Sequence, residues 1–322
     1  MMNRLLAGLA TASLAFAAVA QDYPNRAITI TVPFAAGGPT DTVTRLIGQS
    51  MSKTLGQPII VENVGGAGGT IGVEKAVRAK PDGYTLLLMH IGISTAPSLY
   101  RALRYDPVKD LEPIGLVTDV PMTIIANKNF PPNNMKELIA YMKANKDKVT
   151  YANAGVGAAS HLCGMLLMTA MQTDVTTVPY KGTAPAMTDV LGGQVNFMCD
   201  QTTNTTPQIK GGKVKAYAVT TKQRLKTMPD VPTVDESGLK GFEVTVWHGI
   251  WAPHGTPKPI IDKLAKALQA ALRDPAIVAR FAELGTEPVP QDQATPAALA
   301  AHLKSEIAKW APIIKKAGIY AD

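Results

Sequence analysis

Short β-rich runs alternate with longer amphipathic stretches along this 322-residue chain from residue 27 onward, and that alternation restricts the fold more tightly than composition does. Ala27 to Val32 reads as a strand. Thr40 to Leu55 follows as a helix, with Val43, Leu46, Ile47 and Met51 on one face. Pro58 to Glu62 gives a second strand, Thr70 to Ala79 a helix, and Thr85 to Met89 a third strand. The pattern resumes with a strand at Met122 to Ala126, a helix at Met135 to Asn145, a strand at Val149 to Ala152 and a helix at His161 to Met171. Thr176 to Val178 leads to a helix ending near Leu191, and Val195 to Met198 and Val214 to Val219 are further strands. Two helices, Pro259 to Leu272 and Thr295 to Ala317, complete the chain, the second expected to kink or break at Pro312. Such alternation predicts an α/β fold with a mostly parallel sheet covered on both faces. Two α/β halves in one chain place a ligand cleft between them.

Ahead of this pattern, Arg4 precedes an apolar run from Leu5 to Val19, and Ala18-Val19-Ala20 offers a small-residue cleavage site before Gln21. Residues 1–20 therefore read as a cleaved secretory signal. The run is shorter than the roughly 20 apolar residues of a membrane span. Lys and Arg are scattered rather than clustered with aromatics, so no nucleic-acid partner is expected despite a formal charge of +7. That mildly basic balance is compatible with an anionic ligand. The chain has two cysteines, Cys163 and Cys199. An exported compartment permits a disulfide between them, and two buried thiols are the alternative that spacing leaves open.

Two loops are the candidate ligand contacts. Phe34-Ala35-Ala36-Gly37-Gly38-Pro39-Thr40-Asp41 leaves the end of a strand and starts a helix. Gly37 and Gly38 allow a sharp turn and a close backbone approach. Pro39, Thr40 and Asp41 suit a first helical turn. Unpaired N–H groups at such a helix start favour a carboxylate or another anion. Gly157-Ala158-Ala159-Ser160 repeats the form in the second half, ahead of His161, which is expected to be structural. Around them, the Tyr180–Thr183 loop and Asp200, read as following a strand, can add a hydroxyl and a carboxylate. No P-loop, no G-x-S-x-G elbow, no H-E-x-x-H and no zinc-spaced Cys/His cluster is present, so neither a catalytic residue nor a metal or cofactor is expected.

Taken in order, several segments resemble the Bug family, the periplasmic receptors of tripartite tricarboxylate transporters. They are Tyr23-Pro24, Val32 to Asp41, Val61-Glu62-Asn63 with Gly68-Gly69, Pro81 to Thr85, Tyr151-Ala152, and Gly155 and Gly157 with Ser160-His161-Leu162. Val178 to Ala186, Leu191 to Val195, Pro229 to Thr233, Gly238, Trp247, Ala252-Pro253 and Gly255-Thr256-Pro257 follow. The resemblance spans nearly the whole mature chain. It implies a type II periplasmic binding protein with two lobes, a ligand cleft and a hinge: residues 21–122 with 226–322 as one lobe, and 123–225 as the other. It implies a monomeric, periplasmic, non-enzymatic receptor that passes a small carboxylate to membrane permease subunits. The carboxylate would be a dicarboxylate, a tricarboxylate, an acidic amino acid or an aromatic acid. A sensor subunit would share this binding physics, and an exported hydrolase is the remaining alternative. The contacts it implies are Phe34, Ala35, Ala36, Gly37, Gly38, Thr40 and Asp41 from the first loop. Gly157, Ala158, Ala159 and Ser160 come from the second, with Thr183 and Asp200 beside them. Ala158 and Ala159 stand where many relatives have Ser, which shifts the work to backbone N–H groups. Cys163 and Cys199 match a subset of relatives that carries both, which favours the disulfide. The same subset makes Asp200 a contact for a ligand amino group, and an acidic amino acid such as aspartate a ligand to test.

Overall fold

The computed structural model describes residues 23–321; the signal expected over residues 1–20 lies outside them. Strand β1 (Ile28–Val32) leads into helix α1 (Pro39–Leu55). Pro39 brings the fixed φ of a first helical turn. Val43, Ile47, Met51 and Leu55 recur on the buried face, and the Gly56 N–H closes the helix on the Ser52 carbonyl. β2 (Ile59–Asn63), α2 (Thr70–Val77) and β3 (Thr85–His90) follow as the pattern predicts. A short helix not visible in the pattern, α3 (Gly92–Leu99), comes next; it contains Pro97.

β4 (Leu111–Asn127) is far longer than the strand expected at Met122 to Ala126. Beyond it run α4 (Met135–Ala144), β5 (Thr150–Asn153), α5 (Ala159–Met171), β6 (Thr176–Pro179), α6 (Thr183–Gly192) and β7 (Phe197–Gln201). Asp200 therefore lies inside β7 and not after it. α7 (Thr202–Lys210), β8 (Val214–Val219) and β9 (Thr245–Pro253) lead to the C-terminal helices α8 (Lys258–Arg273), α9 (Pro275–Glu283) and α10 (Pro296–Ala317). α10 continues through Pro312, against expectation. Trp310 and Ile314 are buried on either side of that proline, and Glu306 accepts hydrogen bonds from the Trp247 and Trp310 indoles. Tertiary packing thus outweighs the lost backbone bond.

The strands form one sheet in the order β2-β1-β3-β9-β4-β7-β5-β6, with β8 also on β4. β1 pairs parallel with β2 and β3, and β5 with β6 and β7. β9 and β4 pair antiparallel with their neighbours. The sheet is therefore mixed, which corrects the mostly parallel expectation: a central antiparallel strand, β9, joins the two parallel sets through β4. β4 pairs with β9 from Leu111 to Pro121, then with β7 and β8 from Met122 or Thr123 onward. The β9 side of the sheet, with α1–α3 and α8–α10, is called the first lobe below, and the β7 side, with α4–α7, the second.

The apolar face of α8 (Ile260, Leu264, Leu268, Leu272) packs with Val43, Ile47 and Met51 of α1 on Ile30, Leu86 and Leu88 of the sheet. Each such buried aliphatic side chain contributes about 1.5–3 kcal/mol over exposure. In the second lobe Cys163 of α5 is bonded to Cys199 of β7, with Cα atoms 6.2 Å apart. The thiol alternative is thereby excluded.

Candidate functional site

The β1–α1 and β5–α5 loops meet between the lobes around a narrow cavity of about 10 Å³, room for about one water in this tightly closed form. Phe34, Gly38, Pro39, Thr40 and His90 form its first-lobe wall. Ala154, Ala159, Ser160, Thr183, Asp200 and Gln201 form the second-lobe wall. No Lys or Arg lines it. The starts of α1, α5, α6 and α7 all abut it, and the first N–H groups of a helix have no intrahelical acceptor. None of these four helices has a side-chain cap. An anion here would be held by neutral donors.

Of the residues singled out from sequence, Phe34, Gly38, Thr40, Ala159, Ser160, Thr183 and Asp200 line the cavity. Ala35, Ala36, Gly37, Asp41, Gly157 and Ala158 shape the loops behind it. Asp41 is occupied: its carboxylate accepts from the Gly37 N–H at 2.9 Å, Arg45 Nε at 2.8 Å and Asn63 Nδ2 at 3.0 Å. Burial pushes its pKa up, but those hydrogen bonds outweigh burial and hold it below the ordinary carboxylate value. Ser160 Oγ accepts from the Ala154 N–H at 2.8 Å, so the hydroxyl ties down its own loop while keeping its proton for a ligand. His161 Nδ1 accepts from the Gly157 N–H at 3.3 Å, and burial lowers its pKa to about 4. It props the loop, as expected of a structural histidine.

The second-lobe wall carries unmet polar groups. Asp200 Oδ2 accepts from Asn204 Nδ2 at 2.6 Å, but Oδ1 has no partner, nor do Gln201 Oε1 and Thr183 Oγ1. The Gln201 backbone N–H and the Thr183 hydroxyl also lie close enough to the Asp200 carboxylate to lower its pKa, without a well-formed hydrogen bond to Oδ1. Burial dominates and raises the Asp200 carboxyl to about 7. An orphaned buried acceptor costs about 1–3 kcal/mol, so this wall is incomplete without a donor. His90, at a strand end ahead of Gly92, and Gln201, beside Asp200, are lesser candidates in the sequence that were not assigned as contacts.

The lobes also touch directly. The Ala35 N–H donates to the Lys181 carbonyl at 3.0 Å, the Tyr100 hydroxyl to the Val156 carbonyl at 2.7 Å, and Thr95 Oγ1 to the Gly157 carbonyl at 3.3 Å. Gly68 has φ +60°, and a Cβ there would stand 1.9 Å from the Val156 carbonyl oxygen. The lobes are therefore closed, backbone against backbone. Outside this seam an open depression is lined by Gly68, Tyr100, Val156, Lys181 and Tyr320. It is the rim of the cleft and not an enclosed site.

A family model described as the tripartite tricarboxylate transporter family receptor matches residues 43–319. A protein of Agrobacterium vitis, described as the UPF0065 protein in the TAR-I ttuE-ttuC' intergenic region, is 55% identical over 99% of this chain and 92% of its own length. The solved structure of the periplasmic binding protein BugD superposes with a TM-score of 0.91 at 60% identity, over 93% of this chain and 100% of that one. That of MatC from Rhodopseudomonas palustris with bound malate superposes with a TM-score of 0.88 at 43% identity, over 91% and 100% of the two chains.

Proposed function

This chain belongs to the tripartite tricarboxylate transporter receptor family, and from that premise we propose that it captures a small carboxylate by closing its two lobes around the cavity of Phe34, His90, Ser160 and Asp200. The family and its solved neighbours are solute-binding proteins of the periplasm, not enzymes. MatC, at 43% identity, holds malate. The observation that carries the reading is the convergence of four helix starts and the unpaired Thr183, Asp200 and Gln201 side chains on one narrow cleft that no cationic side chain lines. The N–H groups at the starts of α1 and α5 hold a carboxylate between the lobes. Asp200 and Gln201 add acceptors for an ammonium group, which makes an amino-dicarboxylate such as aspartate the best fit.

Capture is by hinge closure. The change of partners in β4 between Pro121 and Met122 supports lobes of residues 21–122 with 226–322, and 123–225. Only a ligand with better contacts in the closed form shifts that equilibrium. The chain reaches the periplasm through a cleaved signal at residues 1–20 and delivers its ligand to membrane permease subunits; the family description and the apolar N-terminus support both steps.

Thermal-shift measurements on the mature protein with L-aspartate, L-malate, succinate, citrate and glucose test this. A ligand at 100 times its dissociation constant stabilises by about 2.7 kcal/mol. The acids are expected to raise the melting temperature, L-aspartate most. A shift from glucose with none from any acid overturns the ligand class.

A further inference from the structure

The first-lobe wall has two buried histidines at its base, and neither was part of the binding loops. His90 ends β3 and extends the face of Leu86 and Leu88 past the core into the cavity wall. His248 lies directly opposite on β9, and the two rings meet edge to face at 5.8 Å. The Phe34 ring stacks on His90 at 4.6 Å, so the imidazole has one orientation.

Their protons follow from their neighbours. A backbone N–H always donates, and the Gly92 N–H points at His90 Nδ1 at 3.0 Å. That nitrogen is therefore unprotonated, and the proton of the neutral ring sits on Nε2. A carbonyl only accepts, and the Val246 carbonyl lies 3.0 Å from His248 Nδ1. His248 is thus the opposite tautomer, and its Nε2 accepts the Thr40 hydroxyl proton at 3.4 Å. Thr40 then presents only lone pairs to the cavity. His90 Nε2 makes no hydrogen bond among the described residues.

We infer that His90 is a specificity-determining contact: its Nε2–H is the one side-chain donor of the first-lobe wall and reads a ligand carboxylate oxygen, while His248 fixes the neighbouring Thr40 as an acceptor. The inference rests on the cavity being the carboxylate site. Burial keeps both rings neutral, His90 with a pKa lowered to about 4. Asp200 shares the cavity with His90, and Asp41, next in sequence to Thr40, is already paired with Arg45. A neutral donor holds a carboxylate without adding a charge to an enclosed site, and it does not reject a ligand that also carries an ammonium group.

Calorimetry on the mature protein with L-aspartate, L-malate and succinate, using His90→Phe and His90→Gln, tests this. Phe keeps the stack on Phe34 and lacks the donor; Gln restores a donor. His90→Phe is expected to weaken the tightest of the three acids roughly 10- to 100-fold, the range for losing a hydrogen bond to a charged group, and to lower the melting temperature of the empty protein, because the Gly92 N–H loses its acceptor. His90→Gln is expected to recover most of that loss. Nitrogen-detected NMR of the empty protein is expected to show His90 protonated at Nε2 only, with that N–H shifting on ligand addition. Unchanged affinity in His90→Phe, with wild type binding normally, overturns the role of His90 and leaves the receptor reading standing. A wild type that binds none of the three acids removes both.

Discussion

In the first lobe Asp41 stands at the start of α1, surrounded by the Gly37 N–H, Asn63 and Arg45, and its carboxylate has nothing left to ask of a ligand. In the second lobe Asp200 stands at the end of β7 with Asn204 on one oxygen and nothing on the other. Both residues are buried acids beside a strand end and a helix start. One is held below the ordinary carboxylate value by its partners, and the other is raised to about 7 by burial. The difference shows where each wall spends its polar groups. The first wall satisfies its own carboxylate and leaves the His90 Nε2–H as its one free side-chain donor. The second holds Asp200, Gln201 and Thr183 unpaired, so the choice of a ligand's own donor groups is concentrated there.

The largest expected effect comes from loosening the second wall at its root. Removing the Cys163–Cys199 bond, which spans 36 residues, with the Cys163→Ala/Cys199→Ala pair is expected to lower stability by about 4 kcal/mol in the chain-entropy model. Urea unfolding reads this; an unchanged midpoint breaks the idea that the bond anchors α5 to β7. Next, Gly68→Ala keeps each wall but prevents their meeting, because its Cβ would collide with the Val156 carbonyl and the residue would sit at φ +60°. Affinity for the best carboxylate is expected to fall about 100-fold, or roughly 2.7 kcal/mol. X-ray scattering is expected to find no compaction on ligand addition.

A smaller effect follows from the Asp200 proton. In the empty closed form burial raises the Asp200 carboxyl to about 7, and opening that admits water to it is expected to return it toward its ordinary value of 3.8. The closed form therefore binds more protons between these values, and raising pH through that window favours opening. Each pKa unit of difference amounts to about 1.4 kcal/mol. The empty protein is expected to expand between pH 5 and pH 8, and Asp200→Asn to remove that dependence. Smallest of all is Arg45→Ala. Arg45 is half exposed, and Asp41 keeps Gly37 and Asn63, so a loss of no more than about 1 kcal/mol is expected in denaturant titration, with ligand affinity unchanged.

The β1–α1 and β5–α5 loops were legible in the sequence because each combines a hydrophobic run, glycine and a helix start within a dozen residues. The seam of the molecule was not. β9 places Gly249 between Trp247 and Trp251 and is buried along nearly its whole length, so it lacks the alternation that marks a strand. The part of β4 that pairs with β9 contains Pro113, Gly115 and Pro121, residues that argue against a strand in isolation, and its register shifts twice. α3 and α7 are short and carry Pro97 and Pro207. The His90–His248 pair depends on β3 lying beside β9, a long-range register that local pattern does not encode. Gln201 was not assigned as a contact because α7 was not expected; β7 ends and α7 begins at this residue.

The contrast between the paired Asp41 and the waiting Asp200 is tested most directly by calorimetry of L-aspartate and succinate binding to wild type and to Asp200→Asn at pH 8. Wild type is expected to prefer L-aspartate, and Asp200→Asn to lose most of that preference while still binding succinate. Equal affinity of wild type for the two acids, or an unchanged preference in Asp200→Asn, contradicts the account.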